Sequence, residues 1–412
     1  MTILTDREDA APVARPLLDL TRLINPVAPE EFKQEFWEKK PLLVERNDQD
    51  FYSGILTLDD VDQLLLLSGP GLDCIRVVVE GKETPVAELG SGRGRNGKTT
   101  ALEVLYERYR TGSTLVLNAL ERRWAPIARL SAALSTELSA RIQANVYLTP
   151  GGSARGFNPH YDTHDVIILQ IHGTKQWRLY KSDYELPTQD RPYDHHSTTA
   201  PEVDRTIDLQ PGSLLYLPRG TVHAATSTDT ASLHITLGIH PVLWPALLHE
   251  AIAKIVTEDV RFRAGLPIGF ASDESLQRQA EETLAELLQE VVARTDVHQA
   301  VREAVKTAVS ISAPPLRHHL TDLEAADGID LRTPVRRRPD LKWQLTTDDE
   351  SVRLDFHNKT VQLPVHVAEE VAHLVDRSAE PLTAESIPGD LDAPGRLVLV
   401  RTLLREGFLT VS

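Results

Sequence analysis

Thiol chemistry is nearly absent from this chain. A single cysteine, Cys74, stands among 412 residues. One thiol makes no internal disulfide and builds no thiolate metal cluster, so the expected compartment is the reducing cytoplasm. Positive charge is also short: 44 Lys and Arg face 60 Asp and Glu, a formal net charge of −16. That balance argues against broad binding to a phosphate backbone, so no nucleic-acid partner is expected. It suits a basic partner instead. No apolar run approaches the roughly 20 residues a transmembrane helix needs, so no membrane role is expected. Residues 1–16 are mixed and acidic without the apolar core of an export signal, and are expected to form a disordered tail. The length that remains allows two or three domains with a substantial core.

What the chain does have is concentrated between Asn158 and Tyr180, which reads NPHYDTHDVIILQIHGTKQWRLY. In an extended segment residues i and i+2 share a face, so His160 and Asp162 are expected to project together. An imidazole beside a carboxylate makes two of the three ligands of a non-haem iron facial triad. A bare HxD triplet is weak, since most such pairs are surface hydrogen bonds. The third ligand has to be a distant histidine brought in by sheet closure, and the best candidate is His223 in Leu217-Pro218-Arg219-Gly220-Thr221-Val222-His223. Zinc would prefer four tetrahedral nitrogen or sulfur ligands, and no thiolate set is present.

Along the chain, Pro29 to Lys40 reads as a short helix ended by Pro41, Leu42 to Val44 as a strand, and Leu58 to Leu67 as a helix. Gly92 to Thr99, GRGRNGKT, matches the phosphate-loop pattern, with Lys98 as its lysine. The pattern requires a hydrophobic strand before it, and Val86 to Leu89 is a poor one, so a plain Gly/Arg loop is the reading adopted. From Ile142 to Ile239 short strands alternate with Gly and Pro turns, the mark of an all-β barrel or jelly roll. On Ser232 to Leu237 the residues Ser232, His234 and Thr236 share one face and are expected to line a pocket, with His234 read as a pocket histidine, not a fourth ligand. After Pro241 the chain turns helical, over Leu243 to Val260 and Glu274 to Ala308. Leu284, Leu287, Leu288 and Val291 form an apolar stripe there that must be buried, on the barrel or on a second copy. The last eighty or so residues read strand, strand, helix, helix, strand.

Four segments together resemble the JmjC-type 2-oxoglutarate oxygenases, specifically the cupin-like branch that contains the ribosomal oxygenases. They are NVYLTP (Asn145 to Pro150), the 158–180 stretch, PGSLLYLPRGTVHAATS (Pro211 to Ser227) and SLHITLG (Ser232 to Gly238). Weaker resemblance, including EFWEKKPLLV, runs back to about Leu18. The resemblance implies a mixed α+β chain: a double-stranded β-helix (jelly-roll, cupin) oxygenase domain over 17–242, a helical dimerisation region over 243–325, and a winged-helix-like module over 326–412. It also implies Fe(II), 2-oxoglutarate and O2, with His160, Asp162 and His223 as metal ligands and catalytic centre. Lys175 falls at the offset of the family's cosubstrate lysine, and Tyr147 matches the tyrosine that hydrogen-bonds the cosubstrate. Asn118 is a further cosubstrate candidate. The branch's serine contact falls on Gly238, which leaves Thr236 to replace it. The implied activity is hydroxylation of a side chain in a protein or peptide, such as a ribosomal protein, by a homodimer in the cytoplasm. Alternatives are hydroxylation of a peptide natural product or its precursor, a non-enzymatic metal-binding cupin scaffold, and a nucleotide hydrolase built on Gly92 to Thr99.

Overall fold

The computed structural model describes residues 18–68, 74–79, 82–85, 101–152, 157–182, 184–194, 202–311, 316–339 and 341–412. The expected tail at 1–16 and the phosphate-loop look-alike at 92–99, with Lys98, lie outside the described residues. The described residues fall into two compact units. One is Ile142–Ile239 with the described chain before Ser135, and the other is Ser135–Arg141 with His240–Ser412.

The first unit is built on eleven strands: β1 (Leu42–Val44), β2 (Ile75–Val79), β3 (Lys82–Pro85), β4 (Thr114–Leu117), β5 (Ala140–Thr149), β6 (Asp165–His172), β7 (Lys175–Tyr180), β8 (Val203–Leu209), β9 (Leu214–Leu217), β10 (His223–Ser227) and β11 (Ser232–Pro241). Eight form a major sheet in the order β1-β9-β6-β11-β5-β4-β2-β3, and three form a minor sheet, β10-β7-β8. The ladders β6–β9, β6–β11, β4–β5, β7–β8 and β7–β10 are antiparallel. Antiparallel sheets of short strands are what the strand spacing leads one to expect.

Strand parity decides what each face carries. On β5 the small and aliphatic residues Ile142, Ala144, Val146 and Leu148 are buried on one side, while Asn145 and Tyr147 are half-buried on the other. Register carries that second face across the sheet, through Tyr147 opposite Val116 and Val116 opposite Arg76. Between the sheets lies a core of Val166, Ile168, Trp177, Leu179, Ile207, Leu209, Leu215 and Leu217. β6 is buried on both faces at every position from Asp165 to Gln170, which explains its unbroken apolar run Val166 to Leu169. The helix Leu58–Leu67 begins with a capping box in which the Thr57 side chain and Asp60 satisfy each other's backbone N–H groups.

In the second unit, the apolar pattern from Glu274 to Ala308 reads as one helix but folds as two, Glu274–Arg294 and Val297–Ile311. The break has a local cause. Thr295 leaves the helix extended while its hydroxyl donates to the Val291 carbonyl at 2.6 Å, and Asp296 caps the next helix by accepting from the Gln299 N–H at 2.9 Å. The C-terminal elements include the expected strands Ser351–Phe356 and Lys359–Pro364, helices Ala368–Arg377 and Ala393–Arg405, and strand Leu409–Val411, preceded by two strands the sequence did not mark, Val335–Arg337 and Trp343–Thr347. Their core joins Leu354, Phe356, Val371, Leu374, Leu403 and Phe408. Among the described residues no helix is long and apolar enough to cross a membrane.

Candidate active site

His160 and His223 meet through paired backbone bonds, His160 N–H to the His223 carbonyl at 3.1 Å and His223 N–H to the His160 carbonyl at 2.8 Å. Only His160 takes part in this bridge; Tyr161 to His164 form a loop, so the extended strand expected over His160–Asp162 is a single bridge and a turn. Asp162 reaches the same place because its carbonyl accepts the Gly220 N–H at 3.1 Å. Gly220 has φ +86°, and a Cβ there would lie 2.7 Å from Pro187 Cδ and 2.8 Å from the Tyr184 carbonyl oxygen. The turn Pro218-Arg219-Gly220 therefore needs glycine.

The ligand atoms of His160, Asp162 and His223 lie within 4.8 Å of one another. His223 Nε2 is 3.8 Å from Asp162 Oδ2, and the two imidazole centroids are 4.7 Å apart. Each histidine is oriented by its own backbone. His160 Nδ1 lies 2.7 Å from the Asn158 carbonyl, and His223 Nδ1 lies 2.9 Å from the Thr221 carbonyl. A carbonyl accepts only from N–H, so Nδ1 carries a proton in both rings, and the neutral form of each is the tautomer that leaves Nε2 free for a metal. Burial, with His160 beside it, pushes His223 down to about 4, so that ring is neutral at neutral pH. Two neutral imidazoles and one carboxylate are a donor set suited to a divalent iron-type ion.

Behind the three lies a buried polar pocket. Lys175 is 2 % exposed, and its ammonium donates to Thr149 Oγ1 at 2.8 Å, which also receives the Thr114 hydroxyl at 3.1 Å. Burial pushes Lys175 down to about 7. Trp177 Nε1 and His234 Nδ1 are buried with no hydrogen-bond partner among the described residues. Trp177 lies 5.8 Å from the His223 ring and 5.6 Å from the His234 ring, centroid to centroid. His234 stacks on Tyr147 at 4.8 Å with the rings nearly parallel. The Asn145 side chain hydrogen-bonds the Tyr147 hydroxyl, whose pKa is raised first by burial and then by Asp162. A buried ammonium and unpaired polar atoms beside a metal-ligand triad fit a small dianion that also reaches the metal.

Thr236 stands opposite Ile168 and Gly238 opposite Val166, both on the inner face. Asn118 follows β4, where its Nδ2 donates to the Cys74 carbonyl at 3.2 Å and its Oδ1 accepts from Arg76, which in turn pairs with Glu83. Asn118 is thus tied to Arg76 and Glu83, while Thr149, Trp177 and Asn145 are site neighbours that lie inside the quoted segments but were not singled out there. Their signal was present in parity: Asn145 and Thr149 flank Tyr147 at i−2 and i+2, and Trp177 follows Lys175 by two.

The model of the JmjC domain matches residues 119–246, a span that contains the triad and the lysine pocket. The chain carries a JmjC domain. Over a longer stretch the chain is 31% identical to Ribosomal oxygenase 1 of Homo sapiens, covering 80% of this chain and 53% of that protein. It is 27% identical to the bifunctional lysine-specific demethylase and histidyl-hydroxylase NO66 of Dictyostelium discoideum, over 95% of this chain and 82% of that protein. Against the first relatives it matches, the chain spans about half of their length, as with the 53% of Ribosomal oxygenase 2 of Mus musculus. The fold resembles the crystal structure of the Escherichia coli ribosomal oxygenase YcfD, with a TM-score of 0.51 and 17% identity over 94% of this chain and 98% of that one.

Proposed function

We propose that the protein is an Fe(II)- and 2-oxoglutarate-dependent oxygenase that hydroxylates a side chain of a protein or peptide, with ribosomal proteins as the target class. The observation that carries this reading is the pairing of the His160–Asp162–His223 triad with Lys175, a buried ammonium with no counter-charge beside it among the described residues. When bound, the metal and the 2-oxo acid would put dioxygen to work as the oxidant, one oxygen atom going to the target and the other to succinate as 2-oxoglutarate loses carbon dioxide. The chain's own residues do the rest. His160, Asp162 and His223 hold the metal, and the Asn158 and Thr221 carbonyls keep both imidazoles in one tautomer. Lys175, braced by Thr149, takes the distal carboxylate, and Trp177 and His234 line the dry wall that keeps water from the cosubstrate. Tyr147, oriented by Asn145, faces the space between cosubstrate and target. A metal-binding cupin scaffold without activity has no use for Lys175, and hydroxylation of a peptide natural product would use the same centre with a different target.

The net charge of −16 favours a basic target peptide. Incubating the protein with iron, 2-oxoglutarate and basic peptides from ribosomal proteins should yield succinate and a peptide heavier by one oxygen atom. The Michaelis constant for the peptide should rise as salt is added. No succinate under any of these conditions would sink the oxygenase reading, and a salt-independent constant would remove charge from target recognition.

The helical segment supports a homodimer; the cytoplasmic location rests on the scarcity of cysteine alone. Leu284, Leu288 and Val292, spaced by four along Glu274–Arg294, are 58%, 55% and 82% exposed, and Trp244 and Leu248 at the start of Trp244–Glu258 are 78% and 61% exposed. So much apolar surface on neighbouring helices calls for a covering partner, and closed two-fold pairing is the commonest solution. The C-terminal module, read as winged-helix-like, is assigned a protein-contact role beside this interface. Light scattering should report twice the 45.8 kDa chain mass at micromolar concentration. A monomer mass there overturns the dimer.

A further inference from the structure

The turn that carries the metal ligands is also gripped from the far side of the major sheet. Val166 and Ile168 belong to the core between the sheets, so Asp165, at the head of β6, points outward, yet its side chain is fully buried. Asp165 Oδ1 accepts the Tyr216 hydroxyl at 2.9 Å and the Arg219 backbone N–H at 3.3 Å. Arg219 Nη1 lies 3.6 Å from Asp165 Oδ2 and also pairs with Glu38. The circle closes because the Tyr216 hydroxyl accepts the Glu38 N–H at 2.9 Å. Glu38 itself is held with φ +55°. The Tyr216 ring packs against Trp37, stacked at 6.2 Å, and against the edge of Phe32 at 5.0 Å. The Arg219 side chain is 8% exposed, against 27% for Glu38.

Short covalent and hydrogen-bonded paths join this network to the ligands. Asp165 follows Asp162 by three residues, and Arg219 precedes His223 by four. Between them, Gly220 N–H donates to the Asp162 carbonyl, and the Thr221 carbonyl orients His223. Stability alone is a poor explanation for the arrangement, since a buried ionic group is often no better than apolar packing of the same volume. What a single guanidinium nitrogen, Nη1, facing both carboxylates supplies is a fixed link between the two segments.

We infer that the Glu38–Arg219–Asp165 network is a positioning device for the metal centre, fixing the turn 218–223 against the 160–165 segment so that Asp162 and His223 hold their mutual geometry. Resting on the metal-centre reading above, this extends it to residues on the opposite face of the sheet. Positioning residues of this kind act through the ligands and touch neither metal nor cosubstrate.

The test uses Co(II) added to the full-length apoprotein, read by binding titration and by the visible absorption of the bound ion. Arg219→Ala should lower Co(II) affinity about 10-fold or more and change the band shape, the scale seen when a ligand loses its supporting partner. Arg219→Lys should recover only part of the affinity, because its ammonium ends one atom short of the place where Nη1 meets both carboxylates. If Arg219→Ala does not fold, Glu38→Gln at the more exposed end of the network should fold and shift the spectrum in the same direction with a few-fold weaker affinity. A folded Arg219→Ala or Glu38→Gln protein with wild-type affinity and spectrum overturns the inference. So does a lower unfolding midpoint with an unchanged Co(II) spectrum, which is what a merely structural role produces. Neither readout needs turnover, so both hold whether or not the wild-type protein oxidises 2-oxoglutarate.

Discussion

Replacing His223 with alanine is expected to abolish iron-dependent turnover and weaken metal binding by more than the roughly 10–100-fold that losing a supporting partner costs. The loss should be that large because the site has few donors to spare. His223 is nearly buried and supplies one of three ligand atoms that lie within 4.8 Å of one another. With it gone, His160 and Asp162 remain as a two-donor site in part open to water. His234 is the informative control. It is 3% exposed, its ring is 5.6 Å from Trp177, and it stacks on Tyr147, yet it stands outside the cluster of ligand atoms. His234→Ala should retain the metal while weakening cosubstrate binding. Titration of Co(II) into both variants decides the matter. A His223→Ala protein that binds Co(II) like wild type removes His223 from the centre, and a His234→Ala protein that loses the ion makes the centre one of four ligands.

How much of this was legible before the structure depends on the range of the interaction. Local patterns carried well. Alternation on β11 separated pocket-facing from packed residues, and the strands and helices from Ser351 to Val411 follow from periodicity and turns. The triad was legible because an HxD and a PRGTVH segment are both short motifs, although the reason for their meeting differs from the one parity suggested. A single bridge at His160 and a glycine turn bring Asp162 in, not a continuous strand. The helix break at Thr295-Asp296 was missed because an apolar stripe continues through it, while the cap that ends it is a hydrogen-bond preference invisible to periodicity. Least legible was the network behind the sheet. Glu38 and Arg219 are 181 residues apart, and neither position has a pattern that names the other. Such pairs arise only once β9 lies beside β6 and the segment before β1 closes over Tyr216.

The second large effect is expected at Lys175, and it should change sign between stability and function. Lys175 is almost wholly buried with a hydroxyl for a partner, and burial lowers its pKa from 10.5 to about 7. Keeping that ammonium charged therefore costs the folded protein on the order of 5 kcal/mol at low pH. Because the unfolded chain binds the extra proton between pH 7 and 10.5, this cost is complete below about 7 and fades as pH rises to 10.5, so stability climbs across that window. Lys175→Met should remove the penalty. Its melting temperature without cosubstrate should exceed that of wild type at pH 6, with the difference vanishing above pH 10. Cosubstrate binding should move the other way. A carboxylate that pairs with the buried ammonium recovers about 2–5 kcal/mol, so Lys175→Met should raise the 2-oxoglutarate Michaelis constant by roughly 30-fold or more at saturating metal. In wild type the same affinity should fall about tenfold per pH unit above 7, since the free protein must then take up a proton to bind, and the variant should show no such slope. A variant that is less stable at pH 6, or one that binds 2-oxoglutarate as tightly as wild type, would place the dicarboxylate's partner elsewhere in the pocket.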